Sequence, residues 1–270
     1  MPSVSSISVG ANFAGNYAHK ARHEMNASIM RLSSGNRTLM GGDAGGASVG
    51  NSLMARGKSQ YMAARNAEDG ISALLTAEAV ANEVAALAYR LRELGVQADN
   101  DPLLTANDES ALDKEAALIG ETLQDIEVAS KFNGINLIST SGDTTFAIGT
   151  DIDGTSNATT ITTFDALTDA LEDIANASGA DATADLLLAD VSITLGHIAA
   201  GISALKARQS IAYATAANLE AAAARIMDTD FAKETANLTK YSVLNQSAMA
   251  MVAQANQAQS SILTVLQSLT

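Results

Sequence analysis

Apolar and small residues repeat with alternating spacings of four and three through the last long stretch of the chain, residues 191–269. A strict 3.5-residue period is typical of a helix packed along a partner helix in a left-handed supercoil. The repeat is interrupted at 228–231 and resumes from Leu238. We therefore predict two long helices on either side of this break. The first repeat consists of Val191, Leu195, Ile198, Ile202, Leu205, Ala212, Ala216, Leu219, Ala223 and Ile226, with Gln209 as its one polar member.

Three more helices are predicted nearer the N-terminus. Residues 1–40 form a narrow apolar stripe of Phe13, Tyr17, Ala21, Met25, Ile29 and Leu32, which indicates an amphipathic helix ending near Gly35. Residues 47–98 again repeat near a period of 3.5, and Pro102 stops that helix. A third helix is predicted over about 107–130, capped by Asn107 or Asp108.

The pattern changes after this third helix. The segment 131–134, Lys-Phe-Asn-Gly, predicts a turn, and the Thr-, Ser- and Gly-rich residues from about 136 to 163 predict a short β-hairpin. One more short helix is expected over about 163–179. The segment 151–154, Asp-Ile-Asp-Gly, resembles the start of a calcium loop. However, its Gly comes at the fourth position instead of the sixth, and no Glu ends a twelve-residue loop.

Composition limits the chemistry that the chain can carry out. Aromatic residues make up only 4% of the sequence, and alanine supplies much of the apolar content, which favours thin helix seams over a bulky core. There is no Cys, so disulfides, thiolate nucleophiles and Cys-type zinc sites are excluded. No run approaches the ~20 apolar residues of a membrane span, and no signal-peptide apolar region begins the sequence. If the protein leaves the cell, a dedicated machine must export it.

Candidate ligands and catalytic groups are few. His19 and His23 lie four residues apart on one predicted helix, but they lack further metal ligands and the Glu of metallopeptidase patterns. The glycine-rich residues 41–46 lack the Gly-Lys-Ser/Thr of a phosphate loop and follow no strand. We predict neither a metal nor a cofactor site, and no enzymatic activity.

Charge is distributed unevenly. The chain carries a net charge of −14, yet residues 1–65 contain seven Lys or Arg against two acids. Residues 132–205 contain ten acids and no Lys or Arg. Such an acidic segment repels nucleic acid and anionic membranes, so we predict that it faces solvent and that neither is a partner.

Both ends are poor in large apolar side chains. Ordering a residue's backbone costs ~1–2 kcal/mol, whereas a buried methylene returns only ~0.8 kcal/mol. We therefore expect residues 1–40 and the stretch after Leu238 to be disordered until another surface packs on them.

Several motifs, in order, resemble bacterial flagellin. On the N-terminal side they are Arg-Leu-Ser-Ser-Gly at 31–35, Arg-Asn-Ala-Glu-Asp-Gly-Ile-Ser at 65–72, Thr-Ala-Glu at 76–78, Arg-Leu-Arg-Glu-Leu at 90–94 and Phe-Asn-Gly at 132–134. On the C-terminal side they are residues 222–234, around Arg-Ile-Met-Asp-Thr-Asp-Phe, and Met-Val-Ala-Gln-Ala-Asn at 251–256. The resemblance covers roughly residues 25–138 and 190–270. It departs from the family at Gly42, Gly45 and Ala258, where Asp, Ala and Pro are usual.

The resemblance implies a mainly α fold, a long antiparallel helical bundle or coiled coil with a small β-hairpin region and paired N- and C-terminal helices. It implies inner-tube helices at 1–41 and 234–270, core helices at 42–138 and 182–233, and a short variable surface region at 139–181. The residues expected to form the polymerisation seam are Phe13, Tyr17, Met25, Ile29, Leu32, Leu238, Val252, Ile262, Leu266 and Leu269.

The function implied is that of a structural subunit which polymerises, either by itself or together with other flagellins, into the extracellular flagellar filament. The alternative is a hook–filament junction protein of the same superfamily. The implied partners are the flagellar export apparatus, a secretion chaperone, and the filament cap and hook-junction proteins. Export without a cleavable signal peptide is expected. Many flagellins also bind an innate immune receptor through an Arg-Leu-acid patch, which here corresponds to Arg90, Leu94 and Glu115.

Overall fold

The described residues are mainly helical. The computed structural model describes residues 4–38, 42–137, 144–149, 158–164, 174 and 176–268. Within them lie the helices α1 (Val4–Ser34), α2 (Ala44–Ala98), α3 (Ala106–Ala129), α4 (Ala180–Met227) and α5 (Phe231–Gln267). Two antiparallel hairpins pair β1 (Lys131–Phe132) with β2 (Ile135–Asn136), and β3 (Thr144–Gly149) with β4 (Ala158–Phe164). The predicted helical fold with a β-hairpin is confirmed. Residues 151–154 and most of the helix predicted over 163–179 lie outside the described residues.

Local hydrogen bonds set the ends of α1 and α2. As predicted, α1 ends at Gly35, whose φ of 73° suits glycine and whose N–H donates to the Arg31 carbonyl at 2.9 Å. Helix α2 begins at Ala44, three residues earlier than predicted. The reason is that Asp43 Oδ1 accepts the Gly46 N–H at 2.7 Å and so caps the helix. Gly45 and Gly46 therefore form the first turn of α2 instead of a glycine-rich loop.

The predicted cap of α3 is wrong. Helix α3 begins at Ala106, and Thr105 is its N-cap instead of Asn107 or Asp108. Asp108 lies in the first turn, and its carboxylate accepts hydrogen bonds from the Thr105 N–H at 3.0 Å and the Thr105 hydroxyl at 2.6 Å. The carboxylate thus reaches back to the cap, in the manner of a capping box.

The chain divides into two compact units. Unit 1 comprises residues 1–54 and 220–270, and unit 2 comprises residues 55–219. In unit 1, α1 packs against α5. Arg31, near the end of α1, lies 3.0 Å from Glu234, near the start of α5, so the two helices are antiparallel. The implied pairing of the terminal helices is confirmed. The finer domain boundaries given above stay a prediction.

Unit 2 has two apolar clusters. The larger joins α2, α3 and α4 with Ile174 and Ala177, and it includes Val84, Ala88, Leu91, Leu94, Leu112, Ile119, Leu123, Leu187 and Val191. The smaller contains Ala67, Leu74, Ala77, Leu137, Ile198 and Leu205. Among them, Val191, Ile198 and Leu205 belong to the predicted repeat of α4, so the seam predicted there is the one that packs.

The turn between β1 and β2 is also confirmed. Asn133 and Gly134 both have positive φ, 50° and 81°, as in the two-residue turns that join antiparallel strands. The hairpin leads back to the bundle, where the Leu137 N–H donates to the Ser130 carbonyl at 2.9 Å. Leu137 is buried, so the hairpin is fastened to the smaller cluster.

One expectation about apolar runs needs correction. Both α2 and α4 contain an 18-residue window, of mean hydropathy 1.4 and 1.6, that is long and apolar enough to match a membrane span by composition. The prediction that no run approaches a membrane span in length and apolar content is therefore wrong for these two helices. Alanine raises mean hydropathy without adding large side chains, and packed core helices pass the same test. Both helices contribute residues to the clusters of unit 2.

Candidate functional site

The predicted apolar stripe of α1 is divided between two faces of the helix. Met25 and Leu32 are half-buried and Ala21 is buried, so these residues do face inward. In contrast, Phe13 is 60% exposed, Tyr17 is 67% exposed, and Ile29 is also exposed. The inward-facing seam of α1 is instead a heptad repeat in which most side chains are small. It runs through Ala11, Ala14, Ala18, Ala21, Met25, Ser28 and Leu32.

The seam of α5 lies where the repeat predicts it. Leu238, Val252 and Ile262 are half-buried, and Ala248 between them is buried. The side chain of Leu266 and all of Leu269 lie outside the described residues. The predicted seam therefore combines two different surfaces. One surface is the contact between α1 and α5. The other contains Phe13, Tyr17 and Ile29 and is exposed.

This uncovered surface, which we call the outer face, continues on α5. Large apolar side chains are exposed along both terminal helices. Burial of these side chains against another protein chain would remove them from water. From residue 241 to residue 270 the chain has no Asp, Glu, Lys, Arg or His. On α1 the outer face contains Val9, Phe13, Tyr17, Ile29 and Met30, and on α5 it contains Phe231, Val243, Leu244, Met249, Met251, Leu263 and Val265.

The ends of α1 and α4 are tied together beside the predicted break at 228–231. Asn36 and Asp228 form an antiparallel bridge. It is closed by hydrogen bonds from the Arg37 N–H to the Met227 carbonyl at 2.7 Å and from the Thr229 N–H to the Gly35 carbonyl at 2.8 Å. The Arg37 guanidinium also donates to the Ile226 carbonyl at 2.8 Å. These bonds satisfy carbonyls that the last turn of a helix leaves without a partner.

A buried carboxylate fastens α5 to α1. Glu234 is only 7% exposed, and its Oε1 accepts a hydrogen bond from Arg31 Nη1 at 3.0 Å. Burial by itself raises the pKa of Glu234, but its polar neighbours Ser28, Arg31 and Asn237 together outweigh it, so the pKa lies below its ordinary value. Glu234 is therefore ionised at neutral pH and holds the two helices in one register. Sequence reasoning missed this contact, because it joins residues 203 positions apart.

The residues of the predicted receptor patch are only partly brought together on the surface. Arg90 donates to Glu115 Oε1 from Nη2 at 2.6 Å and from Nε at 2.8 Å, and to Glu93 at 3.0 Å. These hydrogen bonds, above all the one with Glu115, raise the pKa of Arg90. Leu94, however, is 1% exposed and packs in the larger cluster of unit 2. Receptor binding by this patch stays a prediction, and in this conformation only Arg90 and Glu115 offer it a surface.

Candidate metal ligands are scattered over the described residues. Among the described residues no group of three or more His, Asp or Glu side chains is placed to hold a metal ion. His19 and His23 are exposed on α1. The terminal helices α1 and α5 pack against each other and expose apolar side chains on their remaining surface.

Comparison with known proteins gives matches at both ends of the chain. The family model of the bacterial flagellin N-terminal helical region matches residues 7–143, and that of the C-terminal helical region matches residues 184–266. A flagellin of Halalkalibacterium halodurans is 33% identical over 87% of this chain and 89% of its own length. The flagellar filament 33 kDa core protein of Treponema phagedenis is 29% identical over 96% of this chain and 99% of its own length. A Bacillus cereus flagellin crystal structure is 22% identical, covers 57% of this chain and 88% of its own, and has a TM-score of 0.37, too low to support an argument about the fold.

Proposed function

This chain belongs to the bacterial flagellin family and is a structural subunit of the flagellar filament, and we propose that its copies assemble through the outer face of α1 and α5. The observation that supports this proposal is that the small and the large apolar residues of the two helices lie in different places. Alanines close the helix pair, while Phe13, Tyr17 and their neighbours on α5 remain uncovered. In a filament those side chains would be buried against neighbouring subunits.

The size of this surface supports the proposal energetically. Burying a large apolar side chain contributes ~1.5–3 kcal/mol. The outer face has twelve such side chains, so covering even a few of them would offset the cost of ordering a subunit. The absence of charge after Lys240 also removes the penalty of burying an unpaired ion on most of α5.

The relatives favour the filament subunit over the hook–filament junction protein. The two curated relatives described above are named as a flagellin and a filament core protein. A filament subunit must leave the cell, and we propose that the flagellar export apparatus carries it without a cleavable signal peptide. A secretion chaperone that covers the uncharged outer face of α5 before assembly would fit the same surface. Contacts with the filament cap and the hook-junction proteins would then follow at the ends of the polymer.

The outer face can be tested by replacing Phe13 and Tyr17 with Ser together. Both side chains are exposed, so the monomer should keep α1 paired with α5. Losing two large apolar contacts per subunit should raise the critical concentration at least about 100-fold, since each ~1.4 kcal/mol is tenfold. Sedimentation of polymer from monomer measures this change.

The matched control is Asn12→Ser with Asn16→Ser, two exposed polar positions on the same helix. This variant should polymerise like the parent. If the Phe13→Ser/Tyr17→Ser variant also polymerises at the parent's critical concentration, the outer face is not the assembly surface. If the parent itself forms no polymer, the filament function is contradicted.

A further inference from the structure

Tyr61 of α2 and Tyr213 of α4 lie ring against ring. Their centroids are 5.7 Å apart and their planes are inclined at 69°, an edge-to-face arrangement. This is the only aromatic pair within the part of the chain that the structure describes, although all five tyrosines belong to that part. The pair joins two helices that are distant in sequence but neighbours in unit 2.

The backbones beneath the two rings are held close by small side chains. Next to Tyr61 lie the buried residues Gln60 and Ala64, and next to Tyr213 lie the buried Ala212 and Ala216. Each tyrosine therefore stands at the border of a packed seam. The points where the rings attach are fixed by this packing, whereas the rings themselves are not enclosed.

Both rings are open to solvent. Tyr61 is 55% exposed and Tyr213 is 39% exposed. Exposed side chains rotate within picoseconds to nanoseconds, so the edges of the two rings can meet without any movement of the helices. The chain contains no Trp and no Cys, the residues that compete most strongly with tyrosine for one-electron oxidants.

We propose that Tyr61 and Tyr213 form an oxidative cross-linking site, at which hydrogen peroxide and a haem peroxidase join the two rings as dityrosine. Each phenol loses one electron and its hydroxyl proton, giving two phenoxyl radicals. A carbon–carbon bond forms between one ortho carbon of each ring. The two ortho hydrogens then move to the oxygens and restore both phenols. The peroxide accepts the two electrons and two protons and leaves as two molecules of water.

The product would be a covalent link between α2 and α4 in a chain that cannot form disulfides. Such a link limits the freedom of the unfolded chain, as a disulfide does. The cross-linked protein should therefore melt at a higher temperature than the untreated protein. This modification is independent of assembly, so it can be tested on the dilute monomer.

The experiment is treatment of the full-length monomer with a haem peroxidase and hydrogen peroxide. The expected product shows dityrosine fluorescence and keeps the monomer's mobility on a denaturing gel. Peptide mapping should find the peptides containing Tyr61 and Tyr213 joined, with the loss of two hydrogens. Oxidation of the neighbouring Met62 is distinguished because it adds an oxygen atom to the peptide.

Tyr61→Phe and Tyr213→Phe keep the ring packing but remove the phenol, and each should lower the intramolecular dityrosine yield at least about tenfold. The matched control is Tyr89→Phe, because Tyr89 is exposed on the same helix α2 but has no ring partner among the side chains that the structure describes. That variant should give the parent's yield. The proposal is overturned if the parent forms no dityrosine, if only chains in different molecules are joined, or if Tyr61→Phe leaves the yield unchanged.

Discussion

The terminal helix pair and the bundle of unit 2 use large apolar side chains in opposite ways. In unit 2, Leu74, Leu91 and Leu205 are completely buried between helices. Between α1 and α5 the buried apolar positions are alanines, while Phe13 and Tyr17 face outward. Since a buried Leu contributes ~1.5–3 kcal/mol and a methyl group only ~0.8 kcal/mol, the bundle is stable by itself and the terminal pair is held weakly. Unit 2 buries its large apolar side chains within itself, whereas the terminal pair leaves them for the proposed contacts with other subunits.

Amide exchange should show the largest difference between the two regions. In the dilute monomer, amides of α1 and α5 should exchange through local opening at low free energy. The amides around Leu74, Leu91 and Leu205 should require nearly global unfolding. The expected contrast is several orders of magnitude in protection factor, measured by mass spectrometry of peptides. Equal protection of residues 9–34 and 84–94 would contradict the comparison.

Replacing a glycine by alanine should destabilise unit 2 but stabilise the terminal helix pair. In unit 2, a Cβ at Gly95 would overlap the backbone nitrogen of Asp181 and lie 2.8 Å from its Cβ. Gly95→Ala should therefore push α4 away from α2 and destabilise the monomer by ~2 kcal/mol, in spite of alanine's better helix propensity. In α1, a Cβ at Gly10 would meet nothing within 4 Å.

Gly10→Ala should accordingly stabilise α1 by ~0.8–1 kcal/mol, the difference in helix propensity. Denaturant unfolding followed by circular dichroism measures the effect of Gly95→Ala, and amide exchange in α1 measures that of Gly10→Ala. Should Gly95→Ala prove as stable as the parent, the close approach of α2 and α4 at that point would be disproved.

The smallest expected effect is the dependence of the terminal pair on pH. The pKa of Glu234 is lowered in the folded state, from an ordinary value of 4.5. The unfolded state therefore binds the proton more readily, so the stabilisation is present above about pH 4.5 and is lost as the pH falls through the lowered pKa. Because Arg31 is partly exposed, we expect this contribution to be only ~1 kcal/mol.

Glu234→Gln should weaken protection of α1 and α5 at pH 7 and should differ less from the parent as the pH falls below 4.5. The control is Glu93→Gln in unit 2, whose carboxylate is well exposed. That change should leave exchange in α1 and α5 unaltered. A constant difference between Glu234→Gln and the parent from pH 7 to pH 3 would rule out the ionised carboxylate as the cause.

Much of the fold could be predicted from the sequence, because heptad spacing is a local property. The seams of α4 and α5 are where the repeats place them, and Leu94 fits the repeat of α2. On α1 the sequence pattern did not show how the apolar residues divide between the two faces of the helix. There the alanines are buried and the large side chains are exposed.

Other features could not be predicted because they depend on the relative register of distant helices. The contact of Arg31 with Glu234 and that of Tyr61 with Tyr213 both require knowledge of which residues of two antiparallel helices lie at the same level. The prediction of the α3 N-cap was wrong for a different reason. Asn107 and Asp108 are good capping residues in general, yet here Asp108 reaches back to Thr105 from inside the helix.

The antiparallel pairing of α1 with α5 also has a consequence for the order of folding. The two helices are the first and the last that the described chain contains, and their linking contact spans 203 positions of sequence. Contacts of such high sequence separation form late, since the whole intervening chain must be brought together first. Synthesis proceeds from the N-terminus, so α1 exists for most of that time without its partner. The topology thus delays closure of the terminal pair until α5 has been synthesised, and a chain captured before that moment has α1 without its partner helix.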